Sequence, residues 1–289
     1  MKTKVVEEKE LEKISPIFKG KRGHKLAKFV MHLFAIDRVN RVYGRSCNYT
    51  GADFSEKLLK DLGVTYLVGN AERLQQLPKG AFITVSNHPY GGLDGIMIID
   101  LMVRIRPDYK FMVNRLLSLV KTMEENFITV TSRTDNNNGY STTSTSLKGI
   151  RETLTRLQDG HPVGFFPSGA VSDFSFKNLR VRDREWQESI LKLIQTAKVP
   201  VVPIRFFNQN SPFFYFLGLI DWRIRIMRMP YEVFNKKGKN PRIGIGEIIS
   251  VEQQAKFSDY RSFGTFLRDA VYKMPKPTSF TPKTELKIT

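Results

Sequence analysis

The chain has 289 residues, 41% of them hydrophobic, one cysteine and a formal charge of +18. That is enough for one large domain or two small ones, with apolar residues to spare for a proper core. One cysteine excludes an internal disulfide, and the excess of cations asks for a polyanionic partner: nucleic acid, an anionic lipid surface or a phosphate-rich small molecule.

Residues 1–18 are charged and read as a frayed end. Met1 to Glu8 lacks the apolar core of a secretory signal, and no run in the chain has the length of a bilayer span. The expectation is a protein on the cytoplasmic side of a membrane, held peripherally. From Lys19 to Arg45 eight Lys or Arg face one acid, Asp37, and thread through Leu26, Phe29, Leu33 and Ile36. One or two helices over 22–44 with that mixture suit an interfacial element. We therefore divide the chain into a basic helical segment at 1–60, an α/β domain at 61–275 and a tail at 276–289.

A first strand is expected at 63–68, then a polar helix or loop through Leu77-Pro78-Lys79-Gly80. Ala81 to Val85 reads as a buried strand and Gly95 to Ile99 opens a buried helix that Pro107 closes. Between them stand Ser86-Asn87-His88-Pro89-Tyr90-Gly91-Gly92-Leu93-Asp94. This turn carries a histidine, two glycines and a carboxylate. A carboxylate that accepts from one imidazole nitrogen leaves the other free to take a proton, so His88 and Asp94 are a candidate base and its partner. The plainer alternative is a turn histidine followed by an N-cap aspartate. No second His, Cys or carboxylate stands at ligand spacing from His88, so no metal is expected.

Strands follow at 109–113 and 127–130, the second leading to Arg133. After a polar loop at 134–145 and a helix at 146–158, Pro162 to Phe166 is a strand that runs into Pro167-Ser168-Gly169. A helix at 184–197, a strand at 199–204, a late strand at 242–249 and a helix at 258–273 complete the domain. Strands alternating with helices predict an α/β fold with a largely parallel mixed sheet, flanked by helices and preceded by an N-terminal membrane-contacting helical element. Ligands in such sheets sit at strand carboxyl ends, where His88, Arg133 and Pro167-Ser168-Gly169 all fall. The segment Ser211 to Ile220 is apolar and aromatic, and seven cations between Arg223 and Arg242 face only Glu232. Either this pair meets a headgroup boundary, or the Phe-rich run is core and the cations are its solvated flank. Charge alone argues for nucleic acid, which ranks below the membrane.

In order, Asn87-His88 to Asp94, Ile128 to Arg133, Phe165-Phe166-Pro167-Ser168-Gly169 and Val199-Pro200-Val201-Val202-Pro203 resemble the four blocks of the glycerolipid and lysophospholipid acyltransferases. Two departures stand out. Five residues separate His88 from Asp94, one more than the common pattern. Ser168 and Val171 replace the glutamate and arginine that serve a glycerol-phosphate acceptor. His88-Pro89-Tyr90-Gly91-Gly92 and Phe166-Pro167-Ser168-Gly169-Ala170-Val171-Ser172 are instead similar to the hemolysin-like branch, which acylates lyso-ornithine or lyso-glycine lipids.

The resemblance implies an O-acyltransferase with His88 as base and Asp94 as its partner. It implies no bound cofactor, an acyl-carrier-protein or coenzyme A thioester as donor, and a lyso-lipid acceptor. Substrate contacts would come from Asn87, Gly91, Gly92, Arg133, Pro167, Ser168 and Gly169. The backbone of Gly91-Gly92 or Ser168-Gly169 would hold the oxyanion, and Arg133 an anionic headgroup or the donor phosphate. Two other readings are a lysophospholipid acyltransferase, such as one acting on 1-acylglycerol-3-phosphate, and a non-catalytic basic membrane protein on the same fold.

Overall fold

A computed structural model describes residues 3–7, 11–12, 15–114, 117, 120–130, 143–177 and 179–287. Three helices open it: α1 (Gly20–Leu33), α2 (Ile36–Ser46) and α3 (Gly51–Leu62). Helix α1 buries only a narrow stripe, and its Ala27 and Met31 belong to a small satellite cluster. Helices α2 and α3 join the main core through Tyr43, Phe54, Leu59 and Leu62. Helix α3 lies where no element was expected. It ends at Gly63, whose left-handed backbone (φ +67°) lets the amides of Gly63 and Val64 return to Lys60 and Leu59. The strand expected from residue 63 therefore starts only at Leu67.

The alternating part follows as β1 (Leu67–Gly69), β2 (Ile83–Ser86), α4 (Gly92–Ile105), β3 (Lys110–Asn114), β4 (Phe127–Val130), α5 (Thr143–Gln158) and β5 (Val163–Phe165). A small hairpin, β6 (Asp173–Ser175) and β7 (Arg180–Arg182), interrupts the alternation and was not foreseen. Then come α6 (Glu188–Ala197), β8 (Val201–Phe206), α7 (Pro212–Ile220), α8 (Trp222–Phe234), β9 (Arg242–Ile245), α9 (Val251–Gln254), α10 (Tyr260–Tyr272) and β10 (Thr281–Pro282).

The described strands form one sheet in the order β10-β1-β9-β8-β2-β5-β3-β4, beside the separate β6-β7 pair. All neighbours in the large sheet are parallel except β1-β10 and β8-β9. The fold is the expected α/β class with a largely parallel mixed sheet. Strand alternation sends Phe111, Val113, Val202 and Ile204 to one face and Met112, Ile83, Val85 and Val201 to the other, so each face has its own core. Segment 276–289, expected as a tail, contributes β10 on the edge of β1, and Lys283 Nζ reaches Glu56 Oε1 (2.8 Å) and the buried Asp100 (3.2 Å). What positions the site is the centre of the sheet. Strand β2 lies between β5 and β8, parallel to both, with Ile83 opposite Val163 and Val201. Three carboxyl ends therefore stand side by side.

Candidate active site

At the end of β2 the Asn87 side chain takes the place of one more strand residue. Its Nδ2 donates to the carbonyl of Phe206 (2.9 Å) and its Oδ1 accepts from the Phe206 amide (2.8 Å). Asn87 was expected to contact substrate; its amide instead ties the loop to the end of β8. The next residue, His88, is clear of the ladder and is clamped by its backbone. Its amide donates to Asp183 Oδ1 (3.2 Å) and its carbonyl accepts from the Ser172 amide (2.9 Å).

Asp94 stands in the first turn of α4 and is fully buried. Its Oδ2 accepts from the amides of Tyr90 (2.8 Å) and Gly91 (3.1 Å) and from His88 Nδ1 (2.9 Å). One Asp94 oxygen thus holds both the imidazole and the amides that lead into α4, and the N-cap position itself falls to Gly91. Burial raises the Asp94 carboxyl above its ordinary value, while His88 and the two amides pull against that rise. The loop can fold back this far because Gly91 adopts φ +83°, where a side chain would be strained, and a Cβ there would lie 2.6 Å from Met229 Sδ.

The His88 ring lies flat on Phe166, with centroids 3.8 Å apart and planes 18° from parallel, and Phe111 backs Phe166 at 4.7 Å. Stacking sets the plane of the imidazole and the carboxylate sets its rotation within that plane. Since Nδ1 faces a carboxylate it carries the proton, which makes Nε2 the basic nitrogen. With 16% of its surface exposed, the side chain keeps an edge open to the outside.

The third block meets the first through this stack. Phe166 to Gly169 form a closed turn, with the Gly169 amide on the Phe166 carbonyl (2.9 Å) and Pro167 buried. Ser168 Oγ donates within the turn to the Ala170 carbonyl (2.8 Å), and Gln187 fastens the turn from outside through Ser168 O (3.2 Å). Of the backbone pairs expected to hold the oxyanion, Gly91-Gly92 and Ser168-Gly169, two amides are already engaged. The Gly91 amide is committed to Asp94 and the Gly169 amide to Phe166. Gly92, at the start of α4, faces open space: a Cβ there would meet nothing within 4 Å. Arg133 lies outside the described residues, and the strand that leads to it, β4, is at the sheet edge, three strand spacings or about 14 Å from β2.

Several participants were not foreseen. Phe166 belongs to the Phe-Pro motif, and its role as the surface on which His88 stacks is visible only in the fold. Asp183, 95 residues from His88, is buried and accepts from the His88 amide, from Ser172 Oγ (2.6 Å) and from Trp186 Nε1 (3.3 Å). Burial raises its carboxyl, against these donors. Its only sequence signal was its closeness to the Phe-Pro motif. The cationic stretch from Arg223 is also less of a solvated flank than expected. Arg225 is buried and bonds the Ser172 carbonyl (3.2 Å) and Asp173, and Lys236 is buried against Glu232 (3.2 Å) with its ammonium 5.3 Å above the Tyr90 ring.

The family described as Acyltransferase matches residues 19–278. A lyso-glycine lipid O-acyltransferase of Bacteroides thetaiotaomicron is 27% identical over 247 residues, covering 82% of this chain and 85% of the relative. One of Phocaeicola vulgatus, with the same description, is 26% identical over 277 residues, covering 92% and 94%. Among solved structures, the 1-acyl-sn-glycerophosphate acyltransferase PlsC of Thermotoga maritima is similar with a TM-score of 0.48 and 15% identity, over 86% of each chain. The chain belongs to the acyltransferase family, and the protein is an enzyme that transfers acyl groups.

Proposed function

We propose that the enzyme moves a fatty acyl group from a thioester onto the hydroxyl of a lyso-aminolipid of the glycine or ornithine type, with His88 as general base. The carrying observation is the bond from His88 Nδ1 to the buried Asp94, which leaves Nε2 as the basic nitrogen of a side chain that is 16% exposed. Nε2 takes the proton of the acceptor hydroxyl as its oxygen attacks the thioester carbonyl. The carbon–sulfur bond then breaks, and the thiolate leaves with the proton returned from the imidazolium. Asp94 offsets the charge on the ring while it lasts. General-base help of this kind contributes about 10² to 10⁴ in rate. The Gly92 amide, in the first turn of α4, is the donor we assign to the oxyanion, where the helix dipole adds to it.

The aminolipid acceptor is supported by the names of the two relatives and by Ser168, a hydroxyl held inside its turn at the position where enzymes with a glycerol-phosphate acceptor resemble one another in carrying a glutamate. The donor is an acyl-carrier-protein or coenzyme A thioester, and the acceptor is met at an anionic membrane surface on the cytoplasmic side. Purified enzyme should be given each thioester with lyso-glycine lipid, lyso-ornithine lipid and lysophosphatidate in turn, with products read by mass. Acylation of the aminolipids over lysophosphatidate is the expected result. Preference for lysophosphatidate would overturn the acceptor, and the absence of any product the reaction.

A further inference from the structure

Helix α8 turns charged residues inward and apolar ones outward along much of its length, although Val233 and Phe234 at its end pack on the core. In a helix on the surface of a soluble protein the apolar stripe faces the core and the charged residues face water. In α8 the inward stripe is Arg225, Met229 and Glu232, continued by Lys236 just past the helix end, at spacings of four, three and four residues. Arg225 and Glu232 are buried and paired inside the protein, Glu232 accepting from the amide (2.9 Å) and hydroxyl (2.6 Å) of Ser211, and Met229 lies against Gly91 of the catalytic loop. The outward residues are Trp222, Ile224, Ile226 and Met227, all exposed.

Helix α7 extends the exposed apolar surface. Its sequence, Pro212 to Ile220, contains no charged side chain, and only Phe214 and Tyr215 are buried. Phe213, Phe216, Leu219 and Ile220 form an exposed stripe at helical spacing, with Ile220 61% exposed. An apolar surface this continuous marks a site of contact.

We infer that the outer face of the α7–α8 hairpin docks into the headgroup and upper acyl region of an anionic bilayer, and so brings the membrane to the edge of the His88 loop. The cations around it choose this occupant. Arg223 is exposed on α8, Arg228 lies over the Phe213 ring (5.4 Å), and Lys237 and Lys239 follow the helix. A second copy of a chain charged +18 would set like charges against one another, whereas anionic headgroups complement them. Among the described residues no helix is long and apolar enough to cross a membrane, which fits docking in the interface plane. The assignment rests on the lyso-lipid reading above only for its purpose, delivery of a lipid acceptor to His88.

Trp222 supplies the test, since Trp186, the chain's other tryptophan, is buried. Full-length enzyme is mixed with phosphatidylcholine–phosphatidylglycerol vesicles whose acyl chains are brominated, and emission is followed in the wild type and in Trp222→Phe. Quenching and a blue shift are expected in the wild type and absent in Trp222→Phe. The triple variant Phe213→Ser, Phe216→Ser, Ile220→Ser should lose about tenfold or more in vesicle partitioning, while acylating a short-chain, monomeric lyso-aminolipid within twofold of the wild type. Unquenched Trp222 in pelleted protein, unchanged partitioning of the triple variant, or a dimer abolished by the triple substitution without quenching would each overturn the docking face. Quenching without acyl transfer by the wild type would leave the face standing and overturn the acyl-transfer reading instead.

Discussion

A single carboxylate oxygen carries much of the chemistry assigned to this enzyme. Asp94 Oδ2 receives two backbone amides and the imidazole at once, so the charge that caps α4 also selects the His88 tautomer. Asp94→Asn separates the two roles. The amide oxygen at the Oδ2 position can still accept from Tyr90, Gly91 and Nδ1, but it carries no charge to offset the imidazolium that forms as the proton is taken. Turnover should fall by about 10² or more with KM and melting temperature little changed. Unchanged turnover would reduce Asp94 to a cap. Gly91→Ala tests the loop itself. At φ +83° the added Cβ strains the backbone, and the chain should lose about 1–3 kcal/mol of stability in denaturant titration, together with turnover. Wild-type behaviour of that variant would contradict the fold-back of the turn. Both residues were legible in the sequence because glycines and a His–Asp spacing are local signals. Asp183 was not, since its bonds to His88 and Ser172 exist only after β2, β5 and the hairpin beside them have come together.

Among the elements, the strands at the sheet centre were readable from apolar runs bounded by turn residues, and their carboxyl ends did come together at the His88 loop. Helix α3 is also written in the chain, in Phe54, Leu58, Leu59 and Leu62 before the helix-ending Gly63. The α7–α8 pair was not legible for a physical reason. Periodicity reports that a helix has two faces and says nothing of which one turns inward, and here the charged face of α8 does. Its buried Glu232 makes a prediction at this scale. Burial works to raise the carboxyl, but the Ser211 hydroxyl and amide and the Lys236 ammonium outweigh it and hold the group below its ordinary value of 4.5. A carboxylate lowered in the folded state binds protons more readily when unfolded, so its contribution is present above pH 4.5 and is lost as pH falls through the folded value. Glu232→Gln should therefore cost about 3 kcal/mol at neutral pH, where Lys236 is left without its charge partner, and the gap from wild type should close below pH 4.5 in paired thermal melts. A pH-independent gap would contradict the assignment.

At the level of the whole molecule, two cores on opposite faces of one sheet hold three strand ends side by side, and the base, its stacking partner and its clamp come from segments separated by up to 95 residues. The charge of +18 was legible as a demand for an anionic partner. Its placement was not, since Arg225 and Lys236 sit inside the protein while Arg223, Lys237 and Lys239 are exposed. The proposed reaction depends on His88 as the base of an acyl transfer to a lipid hydroxyl. The most direct test is the single-turnover rate of acyl transfer from a thioester to lyso-glycine lipid, compared between wild type and His88→Ala at matched melting temperature. The account predicts a fall of at least about 10² in that rate, with the fold unchanged. A rate within a few-fold of wild type would contradict it.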